Sequence, residues 1–415
     1  MEKKRWLFAV IGVIALLFSG VVYAWSVLSS PIAAEFSSWT KAQLSLTFTI
    51  VMILFCIGCV AGGALASKVP ARIYLWISAG LFLLGFLLTA NITSLLMLYI
   101  SFGVICGFAS GLSYNAVMGT VGKWFPDKQG LISGILLMGF GISSFLIGKI
   151  FQACTPDAIG AWRRSFTVFG ILAAVVMAVC GCFLRKPGPD FDIRPAEGKK
   201  ARRENPAAME ANAGQMLRQP AFWLYFAWAI LTSAAGLAIT SQASGIAKEI
   251  SSGIQPGTIA TVVGLISIAN GVSRVIMGGM FDKIGRGAVM QIVNALFILA
   301  GLILLFALLR RSFPLLVLGF IVGGAAYGGV TPTNSAFISS YYGMKNYPLN
   351  FSIINCNLII ASFGSTIAGA LYDSAGTYRS TFLMILLCAF AGIAISFGID
   401  LCDKATVRKK QQENA

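Results

Sequence analysis

Twelve runs of about 20 apolar residues, parted by short polar or Gly/Pro-bearing turns, leave this chain little choice of fold. In hydrocarbon every backbone N–H and C=O must find its partner inside the same segment, so a run of that length crosses as a helix. The runs fall near 6–30, 42–66, 73–91, 95–121, 129–153, 164–184, 221–247, 258–281, 288–308, 312–340, 347–372 and 378–400. The expected fold class is therefore an all-α membrane protein of twelve transmembrane helices. With 57% hydrophobic and 11% charged residues, the 415 residues cannot be a string of soluble domains. The basic start, Lys3-Lys-Arg5 before an apolar stretch, resembles a signal peptide, but the stretch continues through Tyr23 and Trp25 to Ser30 and reads as the first span.

Lysine and arginine set the orientation. With a cytoplasmic N-terminus, 22 of the 31 basic residues fall on the inner side and seven on the outer side. That bias places both termini in the cytoplasm, in the plasma membrane, or the cell inner membrane of a Gram-negative organism. It also accounts for the net charge of +16 without nucleic acid as a partner. Membrane lipid and a small solute are the partners expected, with the monomer as the functional unit.

Two basic residues remain, Lys149 and Arg274. Lys149 lies near the outer end of its run, where its stem can snorkel to the interface or, in the other reading, turn inward to substrate. Arg274 lies midway along 258–281 and has no such route. A cation at mid-membrane is unfavourable by roughly 2.5–3.5 kcal/mol, and such residues usually face a substrate path. None of the 15 acidic residues falls at mid-membrane in this reading, and histidine is absent. Asn270, one helical turn before Arg274, can orient a guanidinium or an anion but cannot neutralise a charge. The missing negative charge is then supplied by the substrate, and Arg274 with Asn270 becomes the candidate binding pair. The absence of an intramembrane carboxylate or histidine also removes the usual proton carrier.

The chain repeats itself. Ile32-Ala-Ala-Glu-Phe-Ser-Ser38 recurs 214 residues on as Ile246-Ala-Lys-Glu-Ile-Ser-Ser252. Gly103 and Gly107 recur as Gly319 and Gly323, and Gly63-Ala-Leu-Ala-Ser-Lys68 is answered from Gly278 onward. A duplicated six-helix unit follows, with the site expected near the midplane between halves. The expected domains are 1–184, a basic, Pro-rich cytoplasmic linker at 185–220, a second half at 221–401, and a tail at 402–415.

Gly278-x-x-x-Asp282-Lys283-x-Gly285-Arg286 resembles the gating-loop motif of the major facilitator superfamily, and the resemblance implies the major facilitator fold. It implies that Asp282 meets the N-terminus of a neighbouring helix, where an anion is stabilised, and that the basic residues form a cytoplasmic latch. The first-half copy keeps Lys68 and Arg72 but has Ser67 and Pro70 at the Asp and Gly positions, which predicts a weaker latch there. Ser19-Gly-Val-Val-Tyr-Ala-Trp25, Lys123-Trp-Phe-Pro-Asp-Lys-Gln-Gly130, Met216-Leu-Arg-Gln-Pro-Ala-Phe-Trp223 and the Asn270/Arg274 pair resemble the oxalate/formate antiporter branch, close to the monocarboxylate transporters. That resemblance implies a substrate carboxylate on Arg274 and a cavity lined by Tyr23, Tyr114, Phe140 and Tyr327. It also implies a second cationic contact in the eleventh helix, where this chain has Asn357, with Asn355 nearby. One core arginine pairs one carboxylate, which points to a monocarboxylate of the formate, lactate or pyruvate class, with an oxalate/formate-type dicarboxylate exchanger as the alternative.

Each candidate has a plainer reading. The tyrosines also suit helix packing or an interfacial belt, and Asn115, Gln242 and Asn334 suit interhelical hydrogen bonding. Cys56-Ile-Gly-Cys59 has redox or zinc spacing but lies within a span and reads as packing. No P-loop, nucleotide fingerprint or nucleophile–base pair is present. The expectation is a carrier that is not an enzyme and needs no cofactor or metal. A membrane carboxylate sensor is the alternative from another class, and the linker and tail offer it no sizeable output domain.

Overall fold

The computed structural model describes residues 2–39, 41–156, 158–188, 208–251 and 256–413. These residues are helical and contain no strand. Among the described residues, twelve helices are long and apolar enough to cross a membrane. They are α1 (Arg5–Glu35), α2 (Leu46–Ala64), α3 (Ala71–Ala90), α4 (Leu95–Trp124), α5 (Gln129–Cys154) and α6 (Trp162–Phe183), then α7 (Pro220–Ile250), α8 (Thr261–Ile284), α9 (Arg286–Arg310), α10 (Phe313–Tyr342), α11 (Tyr347–Ala375) and α12 (Arg379–Arg408). The count matches the hydropathy reading. Leu7, Leu96, Leu309, Leu387 and Leu401 stand on the outside of these helices, where lipid rather than water meets them. Helix continues past α12 to Glu413, so the expected tail begins as helix. Most of the expected linker, 189–207 with its Lys-Lys-Ala-Arg-Arg run, lies outside the described residues.

The chain divides into two compact units. The first comprises Met1–Pro126 and Ile135–Asp192; the second comprises Asp127–Gly134 and Ile193–Ala415. Compactness thus groups the start of α5 with the C-terminal residues.

Within the first unit, glycine brings backbones into contact. A side chain at Gly107 or Gly111 of α4 would strike the backbone of Val51 or Phe55 in α2, and one at Gly58 of α2 would strike Phe108. Small residues give helices in lipid the close approach that drives their association. Two stretches depart from α-winding. Gly20–Ala24 of α1 is a 3₁₀ turn and Tyr99–Cys106 of α4 is π-wound; such departures often mark hinges or functional sites. A knot of hydroxyls joins the helices beside the 3₁₀ turn. Ser19 donates to the Ser110 carbonyl (3.0 Å), Ser110 donates to the Ser19 carbonyl (2.7 Å), and the Ser19 and Ser113 hydroxyls lie 2.8 Å apart.

In the second unit, Gly130 and Gly278 meet so closely that a Cβ on either would strike the other's carbonyl oxygen. Gly134 lies likewise against the Arg274 carbonyl, Gly324 against Ile266 and Gly328 against Asn270. The start of α5 and α10 therefore both pack on the backbone of α8. Buried amides tie the other helices: Tyr225 donates to Asn334 (3.0 Å) and the Trp228 indole donates to Asn294 (2.9 Å). The end of the expected linker, 208–219, is ordered against this unit. Met209 and Ala211 donate backbone N–H groups to Tyr341 and Tyr342, and Asn212 with Gln215 forms a capping box that opens the short helix Ala213–Leu217.

Candidate substrate site and gating loop

Arg274 and Asn270 lie four residues apart on α8, a spacing that puts both side chains on one face. The Arg274 Nε donates to Asn270 Oδ1 at 2.8 Å, and the two side chains are 9% and 8% exposed. A neutral amide thus fixes the plane of the guanidinium without cancelling its charge. Ser273 donates to the Ala325 carbonyl (2.5 Å), and Gly328 approaches the Asn270 backbone, so α10 is held tightly at this level. Tyr327 is carried there with it. Its ring fills the space that a side chain at Gly236 of α7 would need. Three of the candidates, Arg274, Asn270 and Tyr327, therefore form one group in the second unit.

Tyr23, Tyr114 and Phe140 form a second group, in the first unit. Tyr23, inside the 3₁₀ turn, meets Phe140 edge-on at 5.2 Å between centroids, and Tyr114 lies 5.0 Å from Phe140. Phe48 and Phe55 complete this cluster, at 5.8 Å from Tyr23 and 5.1 Å from Tyr114. Neither was singled out from the sequence, although their seven-residue spacing, two turns of α2, would put them on one face.

Asn357 and Asn355 are buried in α11, whose helix is interrupted at Cys356 and Ser362. Asn357 Oδ1 accepts from Ser233 (3.3 Å), and its Nδ2 donates to the Ile354 carbonyl (2.5 Å). Lys149 is exposed on α5. Cys56 and Cys59 are buried thiols, and Cys59 donates to the Gly111 carbonyl at 3.3 Å. Among the described residues no three His, Cys, Asp or Glu side chains come together as a metal site.

At the candidate gating loop, Asp282 accepts backbone N–H groups from Gly130 (3.0 Å) and Leu131 (2.9 Å), the first turn of α5. A carboxylate there satisfies two of the donors that a helix start leaves unpaired. Gly285 has φ +82°, the left-handed region that glycine enters without penalty, and lets α9 begin at Arg286. Arg286 is buried and bonded to Asp400, to Asp403 (3.2 Å) and to the Tyr341 hydroxyl (2.8 Å). Tyr341 also donates to Asp403 (2.5 Å). Asp400, Asp403 and Tyr341 were not anticipated; the three-residue spacing of the two acids on α12 was their only signal. Lys68, Arg72 and Lys283 are exposed, and the Arg72 guanidinium lies 5.9 Å from the Trp76 ring.

A family model described as Major Facilitator Superfamily matches residues 7–248 and 243–414. The chain is 25% identical over 399 residues to the oxalate:formate antiporter of Oxalobacter formigenes, covering 95% of this chain and 91% of that protein. It is 26% identical over 400 residues to monocarboxylate transporter 13 of Bos taurus, covering 96% and 89%. Among solved structures it resembles the proton:xylose symporter XylE bound to 6-bromo-6-deoxy-D-glucose, with a TM-score of 0.75 over 95% of each chain and 14% identity, a likeness of fold alone.

Proposed function

Because the chain belongs to the Major Facilitator Superfamily and is a multi-pass membrane transporter rather than an enzyme, we propose that it carries small monocarboxylates of the formate, lactate or pyruvate class by alternating access. The observation that carries this reading is the Arg274–Asn270 pair. A guanidinium 9% exposed in the middle of an apolar helix and oriented by a neutral amide offers one charged fork to one carboxylate. Tyr327 is carried to the level of the pair by α10, next to Gly328, and Tyr23, Tyr114 and Phe140, grouped in the first unit, are the further aromatics that the family resemblance assigns to the substrate. The latch residues Gly278, Asp282, Lys283, Gly285 and Arg286, with Lys68 and Arg72, govern the cytoplasmic gate. The protein acts as a monomer in the plasma membrane with both termini inside.

The test is counterflow in proteoliposomes with labelled formate, lactate, pyruvate and oxalate, with and without a pH gradient. Monocarboxylate flux accelerated by internal carboxylate alone indicates exchange, and acceleration by the gradient alone indicates proton symport. Oxalate moving faster than every monocarboxylate would replace this reading with the dicarboxylate exchanger, which the likeness to the oxalate:formate antiporter favours. Under the monocarboxylate reading, Asn270→Ala raises the KM for the transported acid about 2–10-fold, the worth of one net hydrogen bond. Vmax changes less, because the guanidinium keeps its charge and loses only its orientation.

A further inference from the structure

The repeated segment at the ends of α1 and α7 has a structural counterpart that the substrate site does not use. Glu35 in the first copy and Glu249 in the second stand 214 residues apart, and both are half-buried. Glu35 accepts the Trp162 indole N–H (2.7 Å) and pairs with Arg163 (2.6 Å), at the start of α6. Glu249 accepts the Thr377 hydroxyl (2.6 Å) and the Tyr378 backbone N–H (3.0 Å), at the start of α12. Arg163 and Thr377 are themselves 214 residues apart. In each unit, then, a carboxylate at the end of the first helix holds the entry to the last. The donors differ while the acceptor is the same. Arg163 further donates to the carbonyls of Ala90, the last residue of α3, and Ile92 just beyond it, and lies 4.7 Å from the Trp162 ring. In the second unit Tyr378 reaches back to Gln242 of α7 (3.0 Å).

We propose that Glu35 and Glu249 are equivalent positioning residues of the transport cycle: each clasps the outer end of a site-bearing helix to the last helix of its own unit and thereby sets the affinity for substrate arriving from outside. The helices so held are α1, which carries Tyr23, and α7, whose Gly236 seats Tyr327. The proposal rests on the transporter reading for its effect on affinity and on the charge-derived topology for the word outside. The clasp itself rests only on the two sets of contacts.

Glutamine is the informative substitution. At position 35 its oxygen still accepts from Trp162 but the ion pair with Arg163 is lost. At position 249 one amide oxygen replaces two carboxylate oxygens for two donors. Two readouts on the full-length protein decide. In nanodiscs, Glu35→Gln raises hydrogen–deuterium exchange at 30–36 and 161–167 and leaves 245–250 and 377–382 unchanged; Glu249→Gln does the reverse. In proteoliposomes, each variant raises the external KM for labelled formate about 3–10-fold, with Vmax per molecule within about 2-fold. Unchanged exchange in the variant's own unit overturns the clasp. A fall in Vmax with KM unmoved reduces both residues to a folding role and overturns the positioning. If the wild type moves no carboxylate, the transporter reading has failed at its substrate, and the exchange measurement decides the clasp by itself.

Discussion

Replacing Arg274 with glutamine lowers the initial rate of carboxylate uptake about 100-fold or more, at equal amounts of protein inserted in the bilayer. Removing one member of a buried, hydrogen-bonded charge pair typically costs about 2–5 kcal/mol, and every 1.4 kcal/mol is a factor of about ten. Glutamine retains a donor for Asn270, so insertion and helix packing survive while the charge that attracts the anion is gone. Lysine gives an intermediate result, with uptake reduced on the order of 10-fold. It restores the charge as a point but cannot hold the planar fork that Asn270 orients through Nε. Rates measured below saturation, normalised to reconstituted protein, make the comparison. Wild-type uptake by the glutamine variant would remove Arg274 from the binding site.

Gly278→Val, by contrast, acts on the fold. A Cβ at position 278 strikes the Gly130 carbonyl, and that oxygen belongs to a backbone that cannot rotate aside. The same crossing carries the bonds that Asp282 accepts from Gly130 and Leu131, and one turn on in α5 Ser133 meets Ser335 of α10 at 2.5 Å. Forcing the helices apart strains all of them. Overpacking of this kind costs about 1–3 kcal/mol, which lowers the thermal midpoint in detergent by on the order of 5 °C. The neighbouring glycine is the control. A Cβ at Gly279 meets only the Leu131 side chain at 3.5 Å, an ordinary contact, so Gly279→Val leaves the midpoint within about 1 °C. Equal losses at the two positions would show that valine anywhere in this stretch of α8, rather than the backbone crossing, is what the protein rejects.

What could be read in advance follows from where each constraint is written. The twelve spans were legible because lipid allows no other way to satisfy a backbone, and that demand appears in every run of apolar residues. The Arg274–Asn270 contact was legible for an equally local reason: two residues four apart on a helix are neighbours whatever surrounds them. The partners of Arg286 were not, since Asp400 and Asp403 lie more than a hundred positions away and two acids near the end of an apolar helix suit a solvated terminus equally well. Nor was the grouping of 127–134 with the C-terminal residues. That grouping rests on glycines touching through their backbones, which have no side chain to announce a partner. The 3₁₀ turn around Tyr23 and the π-winding of α4 were hidden too, because both stretches are as apolar as the helix on either side of them.

The hydroxyl knot of Ser19, Ser110 and Ser113 bears on how far α1 and α4 can shift as well as on how they hold together. A hydroxyl can exchange donor for acceptor by turning its proton, and for Ser19 and Ser113 either oxygen can give. Three such groups between two helices allow the bonds to be traded one at a time, so that no intermediate position leaves all of them broken. A salt bridge in the same place would have to open in a single costly step. Small shifts between α1 and α4, beside the turn that carries Tyr23, therefore need not leave every hydroxyl of the knot unbonded at once.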